Sequence, residues 1–208
     1  MSVLIDSEID NLLETTSRSF YPTLKYLPKK IRGQIGLLYL LARVADTIAD
    51  SKAGETEVLI RALTDYNEVA QGRSTELPDL TDLADIQTNA DEGELLRNVQ
   101  KVVHALQIYD EGDRHRILEC LEVIVGGQIL DLQRFGIAKE GGTISTLNSE
   151  DELDDYAYRV AGCVGVFWTK MSLAHIISLP KDKEERFFEN GIRFGKALQM
   201  INILRDIP

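Results

Sequence analysis

Along almost the whole chain, apolar residues recur at i, i+3, i+4 and i+7, the period of a helix that turns one face to a core. No segment alternates apolar and polar positions long enough, or with enough Val, Ile and Thr, to read as a strand. The pattern predicts an all-α protein, with helices over 6–16, 31–51, 56–71, 91–109, 113–135, 150–178 and 183–206. Prolines stand only at 22, 28, 78, 180 and 208, so the middle of the chain lacks the strongest helix breaker. Ser51-Lys52-Ala53-Gly54, Leu77-Pro78-Asp79 and Gly141-Gly142-Thr143 mark the expected connections. Without an internal repeat or a shift in composition, the reading is a single helical domain over 1–208.

Composition narrows the function classes. The 208 residues are 44% hydrophobic, ample for one substantial core. Against 34 Asp and Glu there are only 23 Lys and Arg, a net charge of −11, and no basic patch is segregated from the acids. A nucleic-acid partner is excluded on that ground. Cys120 and Cys163 have no CxxC or CxxH around them, which favours two buried thiols in a reducing compartment over a disulfide or zinc site. The opening MSVLIDSEIDNLLE is too acidic for a signal or transit peptide. No apolar run reaches the roughly 18 to 20 residues needed to span a bilayer. The expectation is a soluble, cytoplasmic protein.

Residues 33–50, GQIGLLYLLARVADTIAD, carry an unusual polar stripe. At about 100° per residue, Tyr39, Arg43, Asp46 and Asp50 fall within about 60° of one another. Leu37, Leu40, Leu41, Val44, Ala45 and Ile48 take the opposite side. An ordinary surface helix has the same periodicity, but solvated faces usually contain Lys or Glu, and this stretch has neither. Gly36, Ala42, Thr47 and Ala49 border the stripe and leave room for something to approach. Aspartates one turn apart repel each other. A hard cation such as Mg2+ would relieve that repulsion, shared between carboxylates and a substrate phosphate.

With its surroundings, the stripe is more specific. Ser17-Arg18-Ser19-Phe20-Tyr21 precedes it, and Tyr39-x-x-x-Arg43-x-x-Asp46-x-x-x-Asp50 resembles the first aspartate-rich motif of the squalene and phytoene synthase family. Tyr156-Ala-Tyr-Arg-Val160-Ala161-Gly162-Cys-Val164-Gly165 resembles that family's YxxxVAGxVG helix. Gln199-Met-Ile-Asn202-Ile-Leu-Arg205-Asp206 resembles its QxxNxLRDxxxD motif. Gly126-Gly127-Gln128-Ile-Leu-Asp131 sits where the family often carries a helix with Asp-Leu, although a Gly-Gly kink with an exposed Asp131 reads equally well. The resemblance implies an isoprenoid (terpenoid) synthase fold with a central cavity. It also implies further helices beyond Pro208, since the family's last motif has another Asp four residues after Asp206.

The implied reaction joins two farnesyl or related prenyl diphosphates head to head. By resemblance, Asp46, Asp50 and Asp206 are the Mg2+ ligands, and Arg43, Tyr39 and Tyr156 the catalytic side chains. Ser17, Arg18, Ser19, Phe20, Val160, Gln199, Asn202 and Arg205 contact substrate. The chemistry suits them: guanidinium groups clamp diphosphate oxygens, and aromatic faces shield a carbocation without attacking it. Gln199, Asn202 and Asp206 also fall within about 60° on their own helix. Ala161, Gly162 and Gly165 leave space either for a neighbouring helix or for an isoprenoid tail. His104, His115 and His175 receive no role, and Phe167 and Trp168 are assigned to the core.

Thr47 stands where phytoene synthases often have another acid, so the resemblance leans to squalene synthases and implies NADPH as reductant, although no Rossmann fingerprint is present. The alternatives are a phytoene or dehydrosqualene synthase, whose product stays unreduced, and a non-catalytic assembly factor, which would lack the acids. Greasy substrate and product imply a peripheral membrane contact.

Overall fold

A computed structural model describes residues 3–4, 6–51, 55–139 and 146–206. Among them every regular element is helical, and the helices gather into two compact units, Met1–Thr143 and Ile144–Pro208. The turn signals at Lys52-Ala53-Gly54 and Gly141-Gly142-Thr143 lie outside the described residues.

The first unit begins with α1 (Ser7–Ser17), whose N-cap Asp6 accepts hydrogen bonds from the backbone N–H groups of Glu8 and Ile9. Asp10 within it is buried and accepts from Val3 N and Leu4 N, both at 2.8 Å, and from the Tyr21 hydroxyl at 2.5 Å. Three donors on one carboxylate hold the N-terminal segment and α2 (Phe20–Tyr26) against α1. Pro28 then fixes the entry to α3 (Lys29–Ala49), where Leu37, Leu40, Leu41, Val44 and Ile48 are fully buried, the apolar face that the stripe analysis predicts. Gly36 does leave room, but for protein: a Cβ there would meet Leu13 and Val3 at 2.9 Å.

Helix α4 (Thr56–Ala70) packs through Leu59, Leu63 and Tyr66, whose buried hydroxyl donates to the Leu41 carbonyl at 2.9 Å. After the Pro78 linker come two short helices, α5 (Thr81–Asp85) and α6 (Ala90–Arg97). The helix predicted over 91–109 is broken at Asn98, which leaves α7 (Val99–His104) and a 3-10 turn over Ala105–Ile108. Asn98 has φ −104° and ψ 14°, and its side-chain amide donates to the Glu94 carbonyl, a local bond that competes with the helical ladder. The last element, α8 (Glu111–Lys139), runs without interruption through Gly126-Gly127 and packs on α3 and α4. Asp131 is half-buried and not exposed.

The second unit is a pair of long helical stretches. Ser149 caps α9 (Glu150–Ala157), a π-turn follows over Tyr158–Gly162, and α10 (Cys163–His175) continues the rod. Opposite it lies α11 (Lys181–Arg205). Their backbones nearly touch: a Cβ on Gly165 would sit 2.0 Å from the Gly191 carbonyl oxygen, and one on Gly195 2.2 Å from that of Ala161. Of the two uses open to the small residues, Gly165 serves the neighbouring helix. The π-turn is the one departure from the helix predicted over 150–178 that falls inside a motif, and such bulges concentrate at functional positions. Phe167 is core, while Trp168 is half-buried. Cys120 and Cys163 are buried and form no disulfide, as expected. No helix among the described residues is long and apolar enough to cross a membrane.

Candidate functional site

Each unit holds part of the predicted site. In the first, a pocket of about 620 Å3 opens beside the C-terminal half of α3. Arg43, Asp46, Thr47 and Asp50 line it from α3, and Arg18 lines it from the turn between α1 and α2. Arg18 has φ 46° and is the lone non-glycine at positive φ among the described residues, a strained conformation of the kind that collects at functional sites. The opposite wall, residues 86–90 and Glu92, went unrecognised in the sequence. Gln87 ties that wall to the end of α3 by donating to the Ser51 hydroxyl at 2.8 Å, and Asn89 caps α6 there.

Asp46 and Asp50 differ in setting. Asp50 is the exposed C-cap of α3. Asp46 is half-buried and accepts a hydrogen bond from the Gln128 amide on α8. Burial pushes the Asp46 carboxyl up to about 6; Arg43 and the Gln128 bond oppose that push, while Asp50 and Glu92 add to it. Arg43 donates to the Tyr39 hydroxyl at 3.1 Å, and its Nε is buried without a partner. Tyr39 in turn stacks on Phe20, with ring centroids 4.9 Å apart and planes tilted by 35°. Ser17 and Ser19 do not line the pocket: Ser17 is buried with its hydroxyl donated to the Leu13 carbonyl, and Ser19 is the exposed N-cap of α2.

No group of three or more His, Cys, Asp or Glu with metal-holding geometry exists among the described residues. Mg2+ does not require one, because it retains waters and is typically held by one or two carboxylates plus substrate phosphate. Two carboxylates one turn apart, one of them disfavoured as an anion when alone, fit that ion.

In the second unit, Tyr156, Gln199 and Asn202 form a loose chain, with Gln199 donating to the Tyr156 hydroxyl at 3.4 Å and Asn202 to Gln199 at 3.5 Å. Gln199, Asn202 and Val160 line an apolar groove of about 710 Å3 between the α9–α10 rod and α11, with Trp168, Phe194 and Leu198. Asp206 is the exposed C-cap of α11, and the neighbouring Arg205 guanidinium binds both of its oxygens, at 2.8 and 3.2 Å. That hydrogen bond holds the Asp206 carboxyl below the usual range.

Known proteins resemble this chain over most of its length. A family model described as squalene/phytoene synthase matches residues 13–208. The squalene synthase of Schizosaccharomyces pombe is 24% identical over 195 residues, and that of Saccharomyces cerevisiae 27% identical over 205. A bifunctional lycopene cyclase/phytoene synthase of Phaeosphaeria nodorum is 26% identical over 198 residues. Each alignment covers 94% of this chain but only 40%, 41% and 31% of the respective relative, so the chain spans less than half the length of these curated relatives. A solved structure of TcSQS in complex with a ligand, E5700, superposes with a TM-score of 0.72 at 21% identity, covering 94% of this chain and 52% of the other. The fold is therefore the all-α fold seen in that structure.

Proposed function

The chain belongs to the squalene/phytoene synthase family, and we propose that it serves the Mg2+-dependent head-to-head condensation of two farnesyl diphosphates through presqualene diphosphate to squalene, with NADPH as reductant. The observation that carries this reading is the pocket of the first unit, where the carboxylates of Asp46, Asp50 and Glu92 and the guanidinium groups of Arg18 and Arg43 face one space. An acidic pair beside guanidinium groups is what an anionic leaving group needs in a protein whose net charge is −11.

In this reading, the C–O bond of one allylic diphosphate breaks, diphosphate departs, and the double bond of the second substrate captures the cation with loss of a proton. Bound Mg2+ would supply Lewis-acid neutralisation of the leaving group. Asp46 and Asp50 would hold it, and by resemblance Asp206 is proposed as a metal ligand of its own motif. Arg43 and Arg18 bind diphosphate oxygens, and the unpartnered Arg43 Nε is a donor kept for that use. Tyr39, fixed by Arg43 and by Phe20, offers its ring face to the cation and its hydroxyl to the departing proton, and by resemblance Tyr156 is the alternative carrier of that proton. Val160 and the groove beside Gln199 and Asn202 receive an isoprenoid tail. For Arg205 to clamp phosphate, it must exchange its bond to Asp206 for one to substrate, an inexpensive change because both are exposed.

The test incubates the full-length protein with farnesyl diphosphate and Mg2+, with and without NADPH, and identifies the products by mass. Squalene that appears only with NADPH is expected. An unreduced C30 product that ignores NADPH would establish a dehydrosqualene synthase instead, and turnover only when geranylgeranyl diphosphate replaces farnesyl diphosphate, giving a C40 product, a phytoene synthase. Replacing both Asp46 and Asp50 by Ala is expected to lower turnover by about 10³-fold or more, since each 1.4 kcal/mol of lost transition-state stabilisation is tenfold. A double variant with unchanged turnover would remove the metal site proposed here.

A further inference from the structure

Gln128 lies outside the acidic motifs, yet it makes the cross-helix contact on which the first of them rests. Its Nε2 donates to Asp46 Oδ1 from 82 residues along the chain, joining α8 to α3. We propose that Gln128 is a positioning residue for the acidic pair: its amide holds the Asp46 carboxylate in the orientation in which Asp46 and Asp50 take a divalent cation. This rests on the prenyl diphosphate reading and adds a residue to it.

Three observations support the assignment. First, the amide is a poor choice for stability alone. Gln128 Oε1 is buried with no partner, so an apolar side chain of the same length would avoid an unmade hydrogen bond. Second, only the N–H end suits an ionised carboxylate; turned over, the amide would set its oxygen against Asp46. Third, the partner is neutral. An Arg or Lys at this place would orient Asp46 equally well but would cancel the charge that a cation needs, whereas an amide fixes direction and leaves the charge in place. The bond occupies Oδ1 and leaves Oδ2 for a cation. Asp50, exposed at the end of α3, has no such bond and can swing to complete the site.

The experiment measures Mn2+ binding by electron paramagnetic resonance in the presence of inorganic pyrophosphate, and the unfolding midpoint without metal, for the wild-type protein, Gln128→Met and Gln128→Asn. The first substitution removes the donor at nearly constant length; the second keeps the amide but withdraws it by one methylene. Both are expected to weaken Mn2+ binding by about 10- to 100-fold. Gln128→Met should keep or raise the metal-free midpoint. Affinity within twofold of wild type in both variants overturns the positioning role while leaving the functional reading intact. A weaker affinity matched by a lower metal-free midpoint in both variants also overturns it, because Gln128 would then hold the fold and not the carboxylate. Wild-type protein that binds no Mn2+ with pyrophosphate removes the functional reading and this role with it.

Discussion

Asp46 and Asp206 are the same side chain in two motifs of one family, yet their surroundings are opposites. Asp46 stands inside a helix, half-buried, bonded to an amide that comes from 82 residues away. Asp206 ends a helix, is exposed, and is paired with the residue beside it. The units that carry them differ in the same sense. In the first, Leu37, Leu40, Leu41, Val44 and Ile48 are 0% exposed; in the second, Phe194, Ile201 and Leu204 are 60–67% exposed along one face of α11. Asp46 is fixed by a long-range contact. Asp206 is held by a local one, which costs little to rearrange.

The most damaging way to test that contrast is to attack a place where the second unit is tightly packed. Gly165→Val puts side-chain atoms onto the Gly191 backbone, where nothing can yield, and should cost about 3 kcal/mol or more by chemical denaturation. A loss below about 1 kcal/mol would mean that α10 and α11 do not approach so closely.

A smaller effect, of opposite sign, is expected at Asp46. Its carboxyl is raised to about 6 when folded, so the folded protein holds this proton where the unfolded chain has lost it. The stability this group contributes is complete below about pH 4, falls as pH rises to about 6, and is gone above that. Asp46→Asn should therefore raise the metal-free unfolding midpoint at pH 7 by roughly 2–6 °C, with the gain vanishing by pH 4 and under saturating Mg2+. Asp206→Asn should move the midpoint far less and in the opposite sense, a slight loss at neutral pH that disappears as pH falls, because Arg205 holds this exposed carboxyl below the usual range. If the two variants behave alike, the contrast between the motifs fails. Smallest of all, Ile201→Ser together with Leu204→Ser should change stability by no more than about 0.5 kcal/mol, because both side chains already face solvent. A loss of several kcal/mol would show that this face is covered in solution.

Much of the arrangement was legible beforehand, for identifiable reasons. The stripe of Tyr39, Arg43, Asp46 and Asp50 and the buried face opposite it follow from 3.6 residues per turn, a local rule that no tertiary contact has to supply. The broken helix at Asn98 and the π-turn at Tyr158–Gly162 were hidden because apolar periodicity continues across both. Glu92 and Gln128 were hidden more deeply. Neither shares a helix face or a spacing with Asp46, and only the packing of α8 and the course of the chain into α6 bring them to it.

By itself, the sequence determined the all-α class, the ordered motifs and the family, because these depend on residue type and short-range spacing. Tertiary structure decided the surroundings of each member of those motifs. It turned Ser17 inward to the Leu13 carbonyl, made Gly165 a contact between helices, strained Arg18 beside the pocket, and set Asp46 against a distant amide. Burial and hydrogen-bond partners across long separations are properties of packing, and packing is what gives two identical aspartates different chemistry.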